Sequence, residues 1–296
     1  VIEDAAQSFG AMAFSGPNHE ADWLEMLDLY LFLQQEVDQQ IGRVLDALEA
    51  NPSVAANTII LFTSDHGEYG GSHGLRGKGA SVYEEAIHVP LYVKDLTGRF
   101  TANPEITRTQ LTSSVDVAPL LLTLAAGGNS WRQQEQYAHL ANRLDIAALL
   151  QDPNAAGRPY ILHTSDEPGN EEDPATPYTD DPPNHIIGYR TATTKLGLYS
   201  YWNEETSTII SEGQERELYD YSTTSGQQEI DNLAPGGGAL YDQLYAALVE
   251  DAIPNELRQP VPAYLQATQQ SAYSAYLTEF GESGAQVYLP LVSKSE

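Results

Sequence analysis

The sequence predicts an α/β fold: a mostly parallel sheet flanked by helices, followed by a small C-terminal α+β subdomain built on an antiparallel sheet. Three observations carry this. Over residues 20–126, apolar-periodic helical stretches alternate with short, uniformly apolar runs, the pattern of helices covering both faces of a parallel sheet. After about residue 185 come short, partly alternating segments split by turn residues, as in an antiparallel sheet. The chain has 296 residues, of which 41% are hydrophobic and 18 are Tyr, enough to bury a sizeable core.

The elements follow in order. After a turn-rich entry at Ser15-Gly16-Pro17-Asn18, residues 20–50 form one long helix: Trp23, Leu24, Leu27, Tyr30, Leu31, Val37, Ile41, Val44, Leu45 and Leu48 recur at spacings of three and four. Asn51-Pro52 stops it. Thr58 to Thr63 is an apolar strand without polar alternation, so both its faces are expected to be covered. The Gly-rich stretch from Gly67 to Gly79 is loop. Residues 80–87 form a short helix before a second buried strand, 89–93, and Val115 to Ala126 is an apolar helix ended by Gly127-Gly128. Segment 166–184 is acidic and Pro-rich, as surface loops are. Beyond it IIGYRTA, KLGLYSYW, STIIS and ELYDY are four short strands, 239–251 and 263–280 are helical, and 286–292 is an extended edge segment whose Pro suits that position.

Charge and composition exclude several functions. With 42 acidic against 14 basic side chains the formal charge is −28, which repels phosphate backbones and anionic membranes; neither a nucleic-acid nor a lipid-surface partner is expected. The absence of Cys removes disulfides, thiolate metal sites and a cysteine nucleophile. No apolar run approaches the ~20 residues that span a bilayer, so the chain as given is expected to be soluble, without a membrane segment. Compartment and oligomeric state are not legible.

The chemistry lies in residues 63–79, TSDHGEYGGSHGLRGKG. Asp65 and His66 follow directly on a buried strand, where ligands bind in open α/β sheets. A carboxylate beside an imidazole offers oxygen and nitrogen donors to a divalent cation, provided the chain turns sharply, as Gly67 permits. Thirteen residues on stands Lys78, one of four lysines, between Gly77 and Gly79 and close to Arg76. A protein this acidic needs local positive charge to hold an anion, and a metal with Lys78 and Arg76 would supply it; the expected substrate group is sulfate or phosphate. Asp-His-Gly alone reads equally as a structural turn, Lys78 alone as a solvated loop residue, and Glu68 as plain surface. Strand, Asp-His, glycine loop and isolated lysine together favour a functional site.

The run TIILFTSDHGEYGGSHGLRGKGASVYEEAIHVPLYV resembles the sulfatases of the alkaline phosphatase superfamily. YLFLQQEVDQQIGRVLDAL upstream is similar to the family's preceding helix, and SSVDVAPLLLTLAAG to the helix after its second strand. YRTATTKLGLYS and ELYDYSTTSGQQEIDNLA are similar to its C-terminal subdomain. The resemblance implies an alkaline phosphatase-like fold and a metal-dependent hydrolase of sulfate esters acting on small or polymeric substrates. It makes Asp65 and His66 the second pair of metal ligands, usually for one Ca²⁺; His in place of the common Asn is similar to choline sulfatases and phosphonate monoester hydrolases and admits Mn²⁺ or Zn²⁺. Lys78 becomes the catalytic lysine on the ester's anionic oxygens, with Arg76 and His73 as further substrate contacts, although a packing role is the simpler account of His73. His88, where the family commonly has Arg, is read as structural. A phosphodiesterase or phosphonate monoester hydrolase of the same superfamily is the alternative, and a non-catalytic homologue a third.

The family's nucleophile is a formylglycine made inside a Cys/Ser-x-Pro-x-Arg motif, and this sequence contains no such motif. The first Asp-Asp ligand pair is likewise absent, and His19 lies too close to the long helix to replace the family's upstream histidine. With Val at position 1, the expectation is a C-terminal portion of a sulfatase, inactive alone: 1–165 from the catalytic domain, 166–184 an acidic loop, and 185–296 the C-terminal subdomain.

Overall fold

The computed structural model describes residues 19–75, 77–79, 81–166, 183, 185–203, 208–257 and 271. They form two compact units. One runs to Thr107 and includes Leu150–Pro153; the other comprises Arg108–Leu149 and the remaining described residues from Asn154 onward. The entry turn at 15–18, most of the 166–184 loop, and the helix and edge strand expected over 263–280 and 286–292 lie outside the described residues.

In the first unit, α1 (His19–Glu49) matches the periodicity, with Glu20 and Asp22 complementing the positive end of its dipole. The Asn51 side chain donates to the Ala47 carbonyl, satisfying one acceptor that the helix end leaves open. Pro52 then opens the short α2 (Pro52–Ala55), at a position where its missing N–H costs nothing. Strand β1 (Ile59–Thr63) pairs with β2 (Leu91–Asp95), with α3 (Glu84–Ile87) between them in sequence.

The pairing corrects one expectation. β1 and β2 run antiparallel, Ile59 opposite Asp95 and Thr63 opposite Leu91, and every strand pair among the described residues is antiparallel. An apolar run reports how much of a strand leaves water, not the direction of its neighbour, so the parallel sheet did not follow from it. The covered faces are a second correction. Phe62 is 44% and Tyr92 67% exposed, and Leu31 and Val44 of α1 are more exposed than not. The deepest side chains here belong instead to the segment after β1: Tyr69, Leu75, Val82 and Tyr83.

In the second unit, Ser113 and Asp116 form a reciprocal capping box ahead of α4 (Val117–Ala126), and Gly127 at φ +68° ends that helix. The sheet is an antiparallel meander of β3 (Tyr160–Asp166), β4 (His185–Thr191), β5 (Thr194–Asn203) and β6 (Thr208–Asp220). STIIS and ELYDY therefore belong to one strand. Glu215 faces Tyr199 and Ile210 faces Tyr201, so four residues of β6 oppose Ser200 alone. This bulge contains Gly213 at φ +76°, where other residues are strained, and the turn-like composition marked a bulge rather than a strand break. β3 was not assigned from sequence.

One face of the sheet carries the core: Tyr160, Ile187, Tyr189, Leu196, Leu198 and Leu218 pack with Tyr241 and Leu244 of α5 (Ala239–Ala247) and with Leu248 and Ala252 beyond it. Buried polar pairs also hold this unit. Lys195 is fully buried, its Nζ 2.6 Å from Glu229, and the Tyr199 hydroxyl donates to Glu217 at 2.5 Å. No helix among the described residues is long and apolar enough to cross a membrane.

His163 on β3 gives this unit a pH dependence. Burial pushes its pKa below the ordinary imidazole value, and the Lys195 charge acts in the same direction. The unfolded chain therefore takes up the proton first as pH falls below about 6.5. The contribution is fully present above that value and is lost as pH drops toward the depressed native pKa. Melting at pH 7.5 and 5.5 should show a smaller drop for His163→Gln than for the unsubstituted chain; identical drops would contradict this.

Candidate functional site

β1 ends by delivering Ser64, Asp65 and His66 into a sharp turn. Asp65 is 82% exposed, and its Oδ1 accepts the His66 backbone N–H at 3.0 Å. That hydrogen bond, followed by one from its own backbone N–H, lowers the Asp65 pKa and keeps the carboxylate anionic. The Ser64 hydroxyl donates to the His66 carbonyl at 2.6 Å, tightening the same turn. Gly67 is sterically required: a Cβ there would lie 1.9 Å from the Glu85 carbonyl oxygen, and its N–H donates to Ala86 O at 2.8 Å. The strand end is thus tied to α3.

Two neighbours determine the proton position on His66. Nδ1 lies 2.7 Å from the Gly67 carbonyl oxygen, which can only accept, so Nδ1 carries the hydrogen. Nε2 lies 2.7 Å from the Lys78 ammonium, which can only donate, so Nε2 presents its lone pair. The Asp65 Oδ2 stands 3.4 Å from the same Nε2. Asp65, His66 and Lys78 therefore converge on one point.

A self-closing loop carries Lys78 there. The Tyr69 N–H donates to Gly77 O at 3.1 Å and the Gly71 N–H to Leu75 O at 2.9 Å. The Tyr69 hydroxyl is bonded to the Gly79 carbonyl and to Ser81 Oγ. Glu68 Oε1 accepts the N–H of Gly77 at 2.6 Å and of Gly70 at 3.2 Å. Gly77 and Gly79 sit at φ +76° and +83° on either side of Lys78, a left-handed pair that a side chain would strain.

His73 is placed in packing. Its side chain is 8% exposed, its ring stacks on Tyr83 with centroids 3.9 Å apart, and its Nε2 faces Glu85 Oε2 at 3.5 Å. Arg76 lies outside the described residues. Glu68 and Tyr69 carry contacts that composition and spacing did not announce; the only sequence signal was their place inside the glycine loop.

The donor set fits a divalent cation. A carboxylate oxygen and an imidazole nitrogen in the ligating tautomer face the same space, and the other ring nitrogen is held by a carbonyl that fixes the ring. A cation would take the Nε2 lone pair in place of the Lys78 ammonium. Two protein donors do not close a coordination sphere, so further ligands must come from elsewhere.

Comparison with known proteins bears on the family and the fold. Residues 4–128 match the family model described as Sulfatase. The chain is 37% identical over 100 residues to the uncharacterized sulfatase YidJ of Escherichia coli, an alignment covering 33% of this chain and 18% of that protein. It is 24% identical over 242 residues to an arylsulfatase of Volvox carteri, covering 76% and 34%. Among solved structures, a phosphonate monoester hydrolase from Silicibacter pomeroyi superposes with a TM-score of 0.61 at 22% identity, covering 88% of this chain and 49% of that one. What the two share is an α/β fold. The chain spans no more than about half the length of any of these three relatives.

Proposed function

With residues 4–128 belonging to the sulfatase family of the alkaline phosphatase superfamily, we propose that the complete protein is a metal-dependent hydrolase of sulfate esters and that this chain supplies part of its active site. The observation that carries the reading is the convergence of Asp65 Oδ2, His66 Nε2 and Lys78 Nζ at the end of β1.

In this reading Asp65 and His66 hold one divalent cation, Ca²⁺ on the family pattern, with Mn²⁺ or Zn²⁺ compatible with the imidazole. Bound there, the cation would neutralise charge on the sulfuryl oxygens. The Gly67 carbonyl fixes the ring hydrogen on Nδ1, so the Nε2 lone pair that Lys78 engages here would pass to the cation and leave the ammonium beside it. The His66 N–H keeps the Asp65 carboxylate anionic. The Lys78 ammonium, on a rigid loop, stabilises charge that develops as the ester bond breaks. Arg76 is a further substrate contact; for His73, stacked on Tyr83 and facing Glu85, a packing role is the better assignment.

The chain by itself is expected to be catalytically silent. Its sequence holds no Cys and no Ser-x-Pro-x-Arg, and α1 and the β1–β2 pair expose Leu31, Val44, Phe62 and Tyr92. A helix apolar around its circumference, as α1 is over Leu29–Leu33, belongs in the interior of a larger domain.

Sulfate release from 4-nitrophenyl sulfate tests both halves. The complete protein should turn over and lose activity on chelation, with activity restored by one of the three metals, whereas the 296-residue chain should release nothing. Metal-dependent turnover by the chain alone would contradict the second half. The alternative, a phosphonate monoester or phosphodiester hydrolase, is favoured by His66 where many sulfatases have Asn. Faster cleavage of a phenylphosphonate ester than of the sulfate would select it.

A further inference from the structure

We infer that Glu68 is a positioning residue for Lys78, an inference that rests on the hydrolase reading above. Lys78 is exposed, and its flexible four-carbon stem nevertheless brings Nζ to 2.7 Å from His66 Nε2, beside the atoms proposed to hold the cation. An exposed stem is placed chiefly by the backbone under it, so that backbone has to be held. Gly77 and Gly79 cannot do so, because glycine is the least restrained residue in the chain. The restraint comes from across the loop. Glu68 sits two residues beyond His66, and its Oε1 accepts both the Gly77 N–H at 2.6 Å and the Gly70 N–H at 3.2 Å.

One carboxylate oxygen therefore ties the start of the loop to the residue immediately before Lys78. The same stretch reaches His66 through Gly67, so the cationic and ligating ends of the site are coupled over a few bonds. A charge-assisted hydrogen bond to a backbone N–H is among the stronger ones available for this task. The Tyr69 N–H to Gly77 O bond and the Tyr69 hydroxyl to Gly79 O bond complete a clamp on both flanks of Lys78. The Glu68 carboxylate can be removed without touching the buried Tyr69 ring, which is 2% exposed.

The test uses the complete protein and two readouts. With ¹³C,¹⁵N-labelled lysine, the ammonium resonance of Lys78 is assigned by its loss in Lys78→Arg. Glu68→Ala should move that resonance toward the values of freely solvated lysines while the backbone amides of β1 and β2 stay in place. Glu68→Gln, whose amide oxygen accepts the same two N–H groups, should leave it near its original position. If the β1–β2 amides also move in Glu68→Ala, Glu68→Asp replaces it, because a side chain one methylene shorter loses the reach and carries the same expectation. In kinetics, Glu68→Ala should lower kcat/KM by up to about 100-fold, as small misplacements do. Glu68→Gln should recover most of it, and Glu68→Ala should add nothing to Lys78→Ala.

An unmoved Lys78 resonance in the folded variant, a Gln variant as impaired as the Ala one, or full additivity with Lys78→Ala would each overturn the inference. A Lys78 resonance that moves while Lys78→Ala keeps full sulfate-ester turnover would leave Glu68's role standing and remove the hydrolase reading instead.

Discussion

Replacing Lys78 by alanine in the complete protein is expected to lower kcat/KM for a sulfate ester by about 10²–10³, the usual cost of deleting one fixed donor aimed at developing charge. The effect should fall mainly on kcat, because charge builds on the bridging oxygen only as the bond breaks. Lys78 is solvent-exposed and lies between two glycines, so the substitution opens no cavity, and the melting temperature should stay within the small range of surface changes. Metal content should also persist, since Asp65 and His66 remain. Steady-state kinetics alongside elemental analysis would check this. A variant within threefold of the unsubstituted enzyme would mean that the ammonium is a bystander to the chemistry.

The largest effect on stability is expected at Arg158. Its Nε and Nη2 donate to the two oxygens of Asp116 at 2.7 and 2.6 Å, and Nη1 donates to Glu256 at 2.5 Å. Asp116 is fully buried and also accepts the N–H groups of Ser113 and Leu144, while Glu256 takes a second guanidinium from Arg143 at 2.6 Å. Burial works against the Arg158 charge, but Asp116 and Glu256 outweigh it and raise its pKa above the ordinary value.

Arg158→Ala leaves the Asp116 carboxylate sealed from water without its cation. Breaking such a pair from one side typically costs about 3–5 kcal/mol. Lysine should restore little, because one ammonium cannot replace a three-toothed planar fork. Urea unfolding followed by the fluorescence of Trp131, buried in the same unit, in a background with Trp23 and Trp202 replaced by Phe, gives the number. A loss below about 1 kcal/mol would put the pair in the class of exposed ion pairs.

Periodicity made α1 and α4 legible, since a helix buries residues three and four apart whatever it packs against. Turn residues made β4 and β5 legible for a similar reason. The glycine run announced a loop, and Asp65, His66 and Lys78 stood out because a metal-type pair at a strand end and a rare lysine in an acidic chain are unusual separately and more so together. Other features were silent. Gly213 reads as a break in isolation and becomes a bulge only when β5 supplies a partner. His73 has the residue type of a ligand, and what makes it a packing side chain is Tyr83 lying against its ring. Glu68 looks like any acidic surface residue until the loop closes and brings two N–H groups to it.

By itself the sequence determined the succession of α1, β1, β2, α4, β4 and β5, the family resemblance, and the three side chains on which the proposed chemistry rests, because these depend on residue type and near-neighbour spacing. Only the tertiary structure decided that β1 and β2 are antiparallel, that His66 presents Nε2 rather than Nδ1, and that Glu68 holds the backbone beside Lys78. Each of those depends on a hydrogen-bond partner distant along the chain or on the way a turn closes, and a linear pattern does not record which groups meet.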